Sequence, residues 1–196
     1  MTLLTLSLTL FLIMNPLGNM KHFLSLLQGL KGRRQTYVIA REMVLALIAM
    51  FVFSFFGEYI ADAFHLSQTT IFLSSGLILF LTAIKIIFPP KEDHIPRIHG
   101  EEPFFVPIAI PIIASPALLA TILLFSQTEP LVTPMIVSIL IAWGIGTILL
   151  LLSRPILHII GQNGLLAIER LMGLILILIS VQRFMEGVLL FIGEHP

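Results

Sequence analysis

Apolar residues in this chain come in runs of about twenty, recurring from end to end. Wound as a helix, a run of that length matches the hydrocarbon thickness of a bilayer. Six runs can be counted, at roughly 3–28, 38–57, 68–88, 104–126, 132–153 and 166–192. The first and last are long for one crossing, which predicts tilt, breaks or projecting ends.

The first run is interrupted by Met14-Asn15-Pro16-Leu17-Gly18-Asn19. Proline removes a backbone donor and clashes with the preceding turn, and glycine loosens the chain after it. The pattern predicts a broken helix whose freed carbonyls and two side-chain amides find partners in protein or in a wet cavity. A packed kink is the plain alternative, since Pro and Gly are frequent in membrane helices. Asparagine on both sides of the break favours a solute site.

Basic residues fall on alternate connections. Lys31, Arg33 and Arg34 crowd the first, Lys91 and Arg97 mark the third, and Arg154 lies in the fifth. The second holds Glu58, Asp62 and His65, and the fourth holds Glu129, with no Lys or Arg in either. The positive-inside rule then places the odd connections in the cytoplasm and both termini outside. The third connection is the one real linker, dividing the chain into a three-span repeat at 1–88, a cytoplasmic linker at 89–102 and a second three-span repeat at 103–196. Its His94, His99, Glu92, Asp93, Glu101 and Glu102 match no familiar metal-ligand spacing and read as a solvated loop.

Composition sharpens the picture in three places. Only 11% of the residues are charged, where soluble domains carry roughly a quarter, so the chain belongs in a lipid bilayer. The formal net charge of zero argues against a nucleic-acid partner. With no cysteine, disulfide and thiolate chemistry are excluded. The first segment lacks a basic leader and a small-residue cleavage site, and so reads as a retained span.

The two halves carry matching features. At an offset of 97, Gly76-Leu77-Ile78-Leu79 lies on Gly173-Leu174-Ile175-Leu176; at an offset of 100, Asn15-Pro16-Leu17 lies on Ser115-Pro116-Ala117. Each half has an odd number of spans, so the second enters the membrane from the opposite side. The expected fold is an all-α membrane protein of six transmembrane helices, a 3+3 inverted repeat with broken helices in spans one and four. Pro103, Pro107, Pro111 and Pro116 make a regular helix in span four unfavourable. The two breaks should face each other near the midplane.

Asn-Pro-Leu-Gly-Asn at 15–19, Arg41-Glu42, Pro-Ile-Ala-Ile-Pro at 107–111 leading to Ser115-Pro116, and Glu169-Arg170-Leu-Met-Gly173 together resemble the MarC family. The resemblance covers about residues 3–190, with Ser115-Pro116-Ala117 departing from the Gly-Pro of many relatives. It implies six spans, a bacterial or archaeal inner membrane and, for members labelled neutral amino-acid transporter-like, transport of glycine, alanine or similar solutes.

Residues and resemblance together point to a secondary transporter of small polar solutes, working by alternating access at the two breaks. Asn15 and Asn19 would offer amides to the solute, and backbone around Pro16, Gly18, Ser115, Pro116 and Ala117 the remaining contacts. Arg41, Glu42, Glu169 and Arg170 either snorkel to the interface or pair across the halves as a cytoplasmic gate, and Lys85 faces the same choice, with snorkelling favoured. Arg183 and Glu186, spaced i, i+3, should form a local pair. Gly76, Gly173, Gly144 and Gly146 read as helix-packing positions. No cofactor is implied; the coupling ion, H+ or Na+, and the oligomeric state, a homo-oligomer included, stay open. A lipid-handling protein for headgroups or polyprenyl phosphates, or a structural or regulatory subunit, are the rivals. An enzyme is disfavoured by the absence of HExxH, GxSxG and paired intramembrane aspartates.

Overall fold

The computed structural model describes residues 2–26, 32–88, 113–128 and 132–194, and every regular element in them is helical. In order they are α1 (Leu3–Met14), α2 (Met20–Leu26), α3 (Gly32–Ala63), α4 (Gln68–Ile87), α5 (Pro116–Thr128), α6 (Val132–Leu151) and α7 (Ser153–Glu194). The linker residues 89–102, with the prolines at 103, 107 and 111, lie outside the described residues.

Among the described residues, four helical stretches are long and apolar enough to cross a membrane: Arg34–Ala63, Gln68–Ile87, Thr133–Leu151 and Ser153–Gly193. The hydropathy pattern predicts six. The two that fall short are the two expected to be broken, represented by the apolar helices Leu3–Met14 and Pro116–Ser126. A 12-residue helix rises about 18 Å, well short of a 30 Å hydrocarbon core.

Two boundaries differ from the expected spans for physical reasons. Helix α3 extends past both ends of its apolar stretch, because polar Gln35 and Glu58 continue a helix as readily as apolar residues do. The fifth connection is helical. Backbone hydrogen bonds at helical spacing run across Leu152, and the true break falls at Gly161, where φ 74° and ψ 174° admit glycine alone.

Exposure is distributed as lipid requires. Large apolar side chains such as Leu4, Tyr59, Leu178 and Leu189 point outward, while Asn15, Gln35, Glu42, Thr121, Ser138 and Arg183 are buried. Several buried hydroxyls bond back to their own helices, Ser180 to the Ile177 carbonyl at 2.7 Å and Thr121 to that of Ala117 at 2.7 Å. The apolar core joins Leu10, Ile13 and Met14 of α1 to Met43 of α3, Leu118 and Ile122 of α5, and Ile139 of α6.

Helices α4 and α7 form an antiparallel pair held close by glycine. A Cβ on Gly76 would stand 3.0 Å from both the Phe184 nitrogen and the Ser180 carbonyl oxygen, and one on Gly173 would meet Ile87 at 2.7 Å. Small residues that let backbones approach supply the packing that hydrophobicity cannot drive in lipid. Gly146 serves likewise against Met14, but Gly144 faces open space, so its expected packing role is not found.

These contacts give a paired test. Gly76→Val forces two methyl groups against backbone that cannot swing aside, and should cost about 1–3 kcal/mol or more. Gly144→Ala meets nothing within 4 Å and should be neutral or stabilising by up to about 1 kcal/mol. Thermal unfolding of the purified protein in detergent separates the two.

Candidate functional site

The break in the first run is a tight turn built by asparagine. Asn15 caps α1 in the left-handed region, φ 48° and ψ 54°, a conformation that asparagine tolerates better than most residues. Its backbone N–H donates to the Phe11 carbonyl at 3.0 Å, and its carbonyl accepts from the Asn19 N–H at 3.1 Å. The side chain closes the turn, Oδ1 accepting from the Gly18 N–H at 3.1 Å. Gly18 is required sterically, since a Cβ there would run into the Asn15 carboxamide.

That arrangement leaves one group over. The Asn15 side chain is 3% exposed, and its Nδ2 has no hydrogen-bond partner. Because Oδ1 is committed to a donor, the amide cannot flip to relieve it. A buried amide without a partner costs about 1–3 kcal/mol, and such a group is an anomaly unless something else bonds it.

The second break adjoins the first. Ser115 caps α5, its Oγ accepting from the Leu118 N–H at 3.2 Å, and Pro116 takes the first helical position, where no donor is missed. Ala117 is buried in the core behind it. Ile113, just ahead of this cap, shares a void with Met14, Pro16 and Asn19, whereas Ser115, Pro116 and Ala117 do not line it. The void is small, about 10 Å³, which is room for a single water. Ser115 itself is occupied with capping.

The structure adds Glu42. The carboxylate is 0% exposed, on the buried stripe of α3 with Val38, Ile39 and Ala46. The carboxylate is enclosed by protein, and since α3 starts at Gly32, Glu42 lies nearly three turns inside the helix. Arg41 holds Oε1 through Nε at 3.0 Å and Nη2 at 2.8 Å, while Oε2 is buried without a partner. Helix α6 fixes its level. Trp143 Nε1 donates to the Met43 carbonyl at 2.8 Å, and Gly146, one turn on, is the seat of Met14, with Pro16 3.8 Å from where a Cβ on that glycine would stand.

The remaining charges do not form the cross-half pairs. Glu42 bonds its own neighbour, and the cations acting on Glu169 are Lys21 of α2 and Arg170 beside it. Lys85 is exposed in the last turn of α4, where its charge complements the helix dipole. Arg183 and Glu186 are not directly bonded; Glu186 Oε1 accepts from Gln182 Nε2 at 2.9 Å. Among the described residues no three His, Asp or Glu gather as a metal site. The signal that could have found Glu42 was its phase: it falls four residues from Val38 and from Ala46.

The sequence profile of the MarC family, integral membrane proteins, matches residues 1–192. A UPF0056 membrane protein of Buchnera aphidicola subsp. Schizaphis graminum is 48% identical over 180 residues, covering 91% of this chain and 92% of that one. The UPF0056 inner membrane protein YhgN of Escherichia coli K12 is 42% identical over 181 residues, covering 91% and 92%. A UPF0056 membrane protein of Chlamydia pneumoniae is 32% identical over 192 residues, covering 95% and 93%. No solved structure matches the chain.

The Arg41–Glu42 pair predicts an asymmetry. Arg41→Leu leaves a buried carboxylate uncompensated and should destabilise by about 3 kcal/mol, whereas replacing both residues by leucine should cost markedly less. A double-mutant cycle on thermal unfolding in detergent checks it.

Proposed function

The chain belongs to the MarC family of integral membrane proteins, and from that premise we propose that it is a secondary transporter of small neutral amino acids such as glycine or alanine. The observation that carries the reading is the orphaned Asn15 Nδ2, a buried donor at a helix break with its turn already closed. A solute carboxylate would complete it, assisted by the positive amino end of α5 beside the second break. Glu42 Oε2, a second orphaned buried atom and an acceptor, would take the ammonium. One unpaired donor and one unpaired acceptor complement a zwitterion better than they complement a lipid tail or a packed core.

Alternating access about an inverted repeat is the mechanism we assign. Support comes from the α4–α7 pair, where Gly76 meets Phe184 and Gly173 meets Ile87. The offset of 97 residues that maps Gly76 on Gly173 also maps Ile87 on Phe184, so each contact is the image of the other. An in-plane two-fold axis produces that exchange. On this reading six segments traverse the membrane, the termini lie outside, and the protein resides in the bacterial inner membrane, where the Escherichia coli relative is named.

Uptake of radiolabelled glycine and alanine into liposomes, with a proton gradient, a sodium gradient or neither, tests the reading. Gradient-driven accumulation above empty liposomes is expected, and it names the coupling ion. Asn15→Asp keeps an acceptor for the Gly18 N–H and tolerates the left-handed backbone, but loses the donor. Uptake by that variant should fall at least tenfold with folding retained; undiminished uptake would remove the site.

A further inference from the structure

A second cavity, of about 490 Å³, lies toward the amino end of α1, walled by Thr9 and Leu12 of α1, Phe125 of α5, and Gln182, Arg183 and Glu186 of α7. Its size falls within the range that holds small organic molecules. Arg183 is 6% exposed, lines this cavity, and has its Nη1 buried without a hydrogen-bond partner. Its guanidinium carbon stands 5.7 Å from the centroid of the Phe125 ring, itself a wall of the cavity. The carboxylate one turn along, Glu186, is bonded to Gln182 instead.

A guanidinium inside a membrane protein is costly, and the cost is met by pairing with a carboxylate or by a functional ligand. Here a carboxylate is within reach in sequence and is held elsewhere. A cation–π contact offsets part of the cost but leaves the planar donor fork unused. The cavity therefore offers a free fork, an adjacent carboxylate and apolar walls in one space.

We propose that Arg183 binds the carboxylate of a zwitterionic solute in this vestibule, with Glu186 receiving its ammonium, as an entry station ahead of the Asn15 break. The choice of solute rests on the transport reading; the anion site at Arg183 rests on the cavity alone. Leu12 forms the inner wall and lies three residues, or about 4.5 Å of helix rise, from Asn15. A solute leaving the vestibule inward thus meets the seal of Leu12 and Met14 and, beyond it, the turn. The two stations share the same chemistry, a donor for carboxylate and an acceptor for ammonium, spaced along one helix.

Equilibrium binding of alanine and of propionate, a carboxylate without the ammonium, to the purified full chain in detergent tests the assignment. Arg183→Gln should weaken both at least tenfold. In liposomes the same variant should raise the KM for alanine at least tenfold while leaving the maximal rate near that of the parent. Arg183→Lys, which keeps the charge but not the fork, should fall between and serves where the glutamine variant does not fold. Asn15→Asp should cut flux at least tenfold yet retain Arg183-dependent binding. If the parent shows no flux but binds alanine and propionate through Arg183, the transport reading fails and the anion site stands. Unchanged binding of both probes in a folded Arg183 variant overturns the site. So does phosphatidylglycerol that co-purifies with the parent, excludes propionate and is lost with Arg183, since it assigns the guanidinium to a lipid phosphate.

Discussion

The hydrogen bond from the Gly18 N–H to the Asn15 carboxamide oxygen is the constraint on which the interior depends. In lipid, a helix that stops must satisfy its last carbonyls, and the first amides of the next helix, within the protein. Asn15 does this with one side chain and a left-handed backbone, and Gly18 must lack a Cβ for the side chain to lie across the turn. Pro16 then cannot restart the helix by donating, so α2 begins only at Met20. The position of the turn is set in turn by α6, where Met14 seats on Gly146 and the Trp143 indole ties α3 to the same level. A side chain at 146 would push the Met14 methyl aside, and with it the contact that seats the end of α1 on α6.

The polar groups of the interior fall into two kinds. Hydroxyls such as those of Ser7, Thr121 and Ser180 return their protons to carbonyls of the same helix, which keeps them neutral participants in packing. Asn15, Glu42 and Arg183 each keep one buried polar atom unpaired, as the Ser54 hydroxyl does, although Asn15 and Glu42 each have another side-chain atom bonded. Three long polar side chains in that condition, in a chain only 11% charged, are a concentration of unmet hydrogen-bonding capacity. Burial for stability would favour apolar replacements at all three positions.

Much of this is legible in the residues. The Asn-Pro-Leu-Gly-Asn break announces itself, because no regular helix accommodates it, and the glycines at 76 and 173 do stand at packing positions. The two charged sites are harder. Glu42 looks interfacial in the sequence because hydropathy marks where apolar residues begin, whereas α3 begins at Gly32 with polar residues in helical phase. Arg183 and Glu186 have the spacing of a local ion pair, yet spacing does not fix rotamers. Phe125 on another helix and Gln182 on the same one draw the two groups apart. Gly161 is invisible as a break, since one glycine between helical stretches is compatible with either outcome and only its backbone angles decide.

The void between the breaks, about 10 Å³, cannot hold an amino acid, while the vestibule beside Arg183 has about 490 Å³. Any solute that reaches Asn15 must therefore move Met14 off Gly146 or shift α5 and its Ser115 cap away from the turn. Neither motion breaks the Asn15–Gly18 bond, so the donor can be exposed with its geometry intact. Met14 is a flexible side chain against a bare glycine, and its displacement by rotamer change involves no backbone rearrangement. The α5 end, by contrast, is capped and begins with proline, which favours movement as a unit. On the proposed transport reading, a rigid turn bearing the donor, a soft plug over it and a capped half-helix opposite would divide the labour between holding a solute and letting it pass.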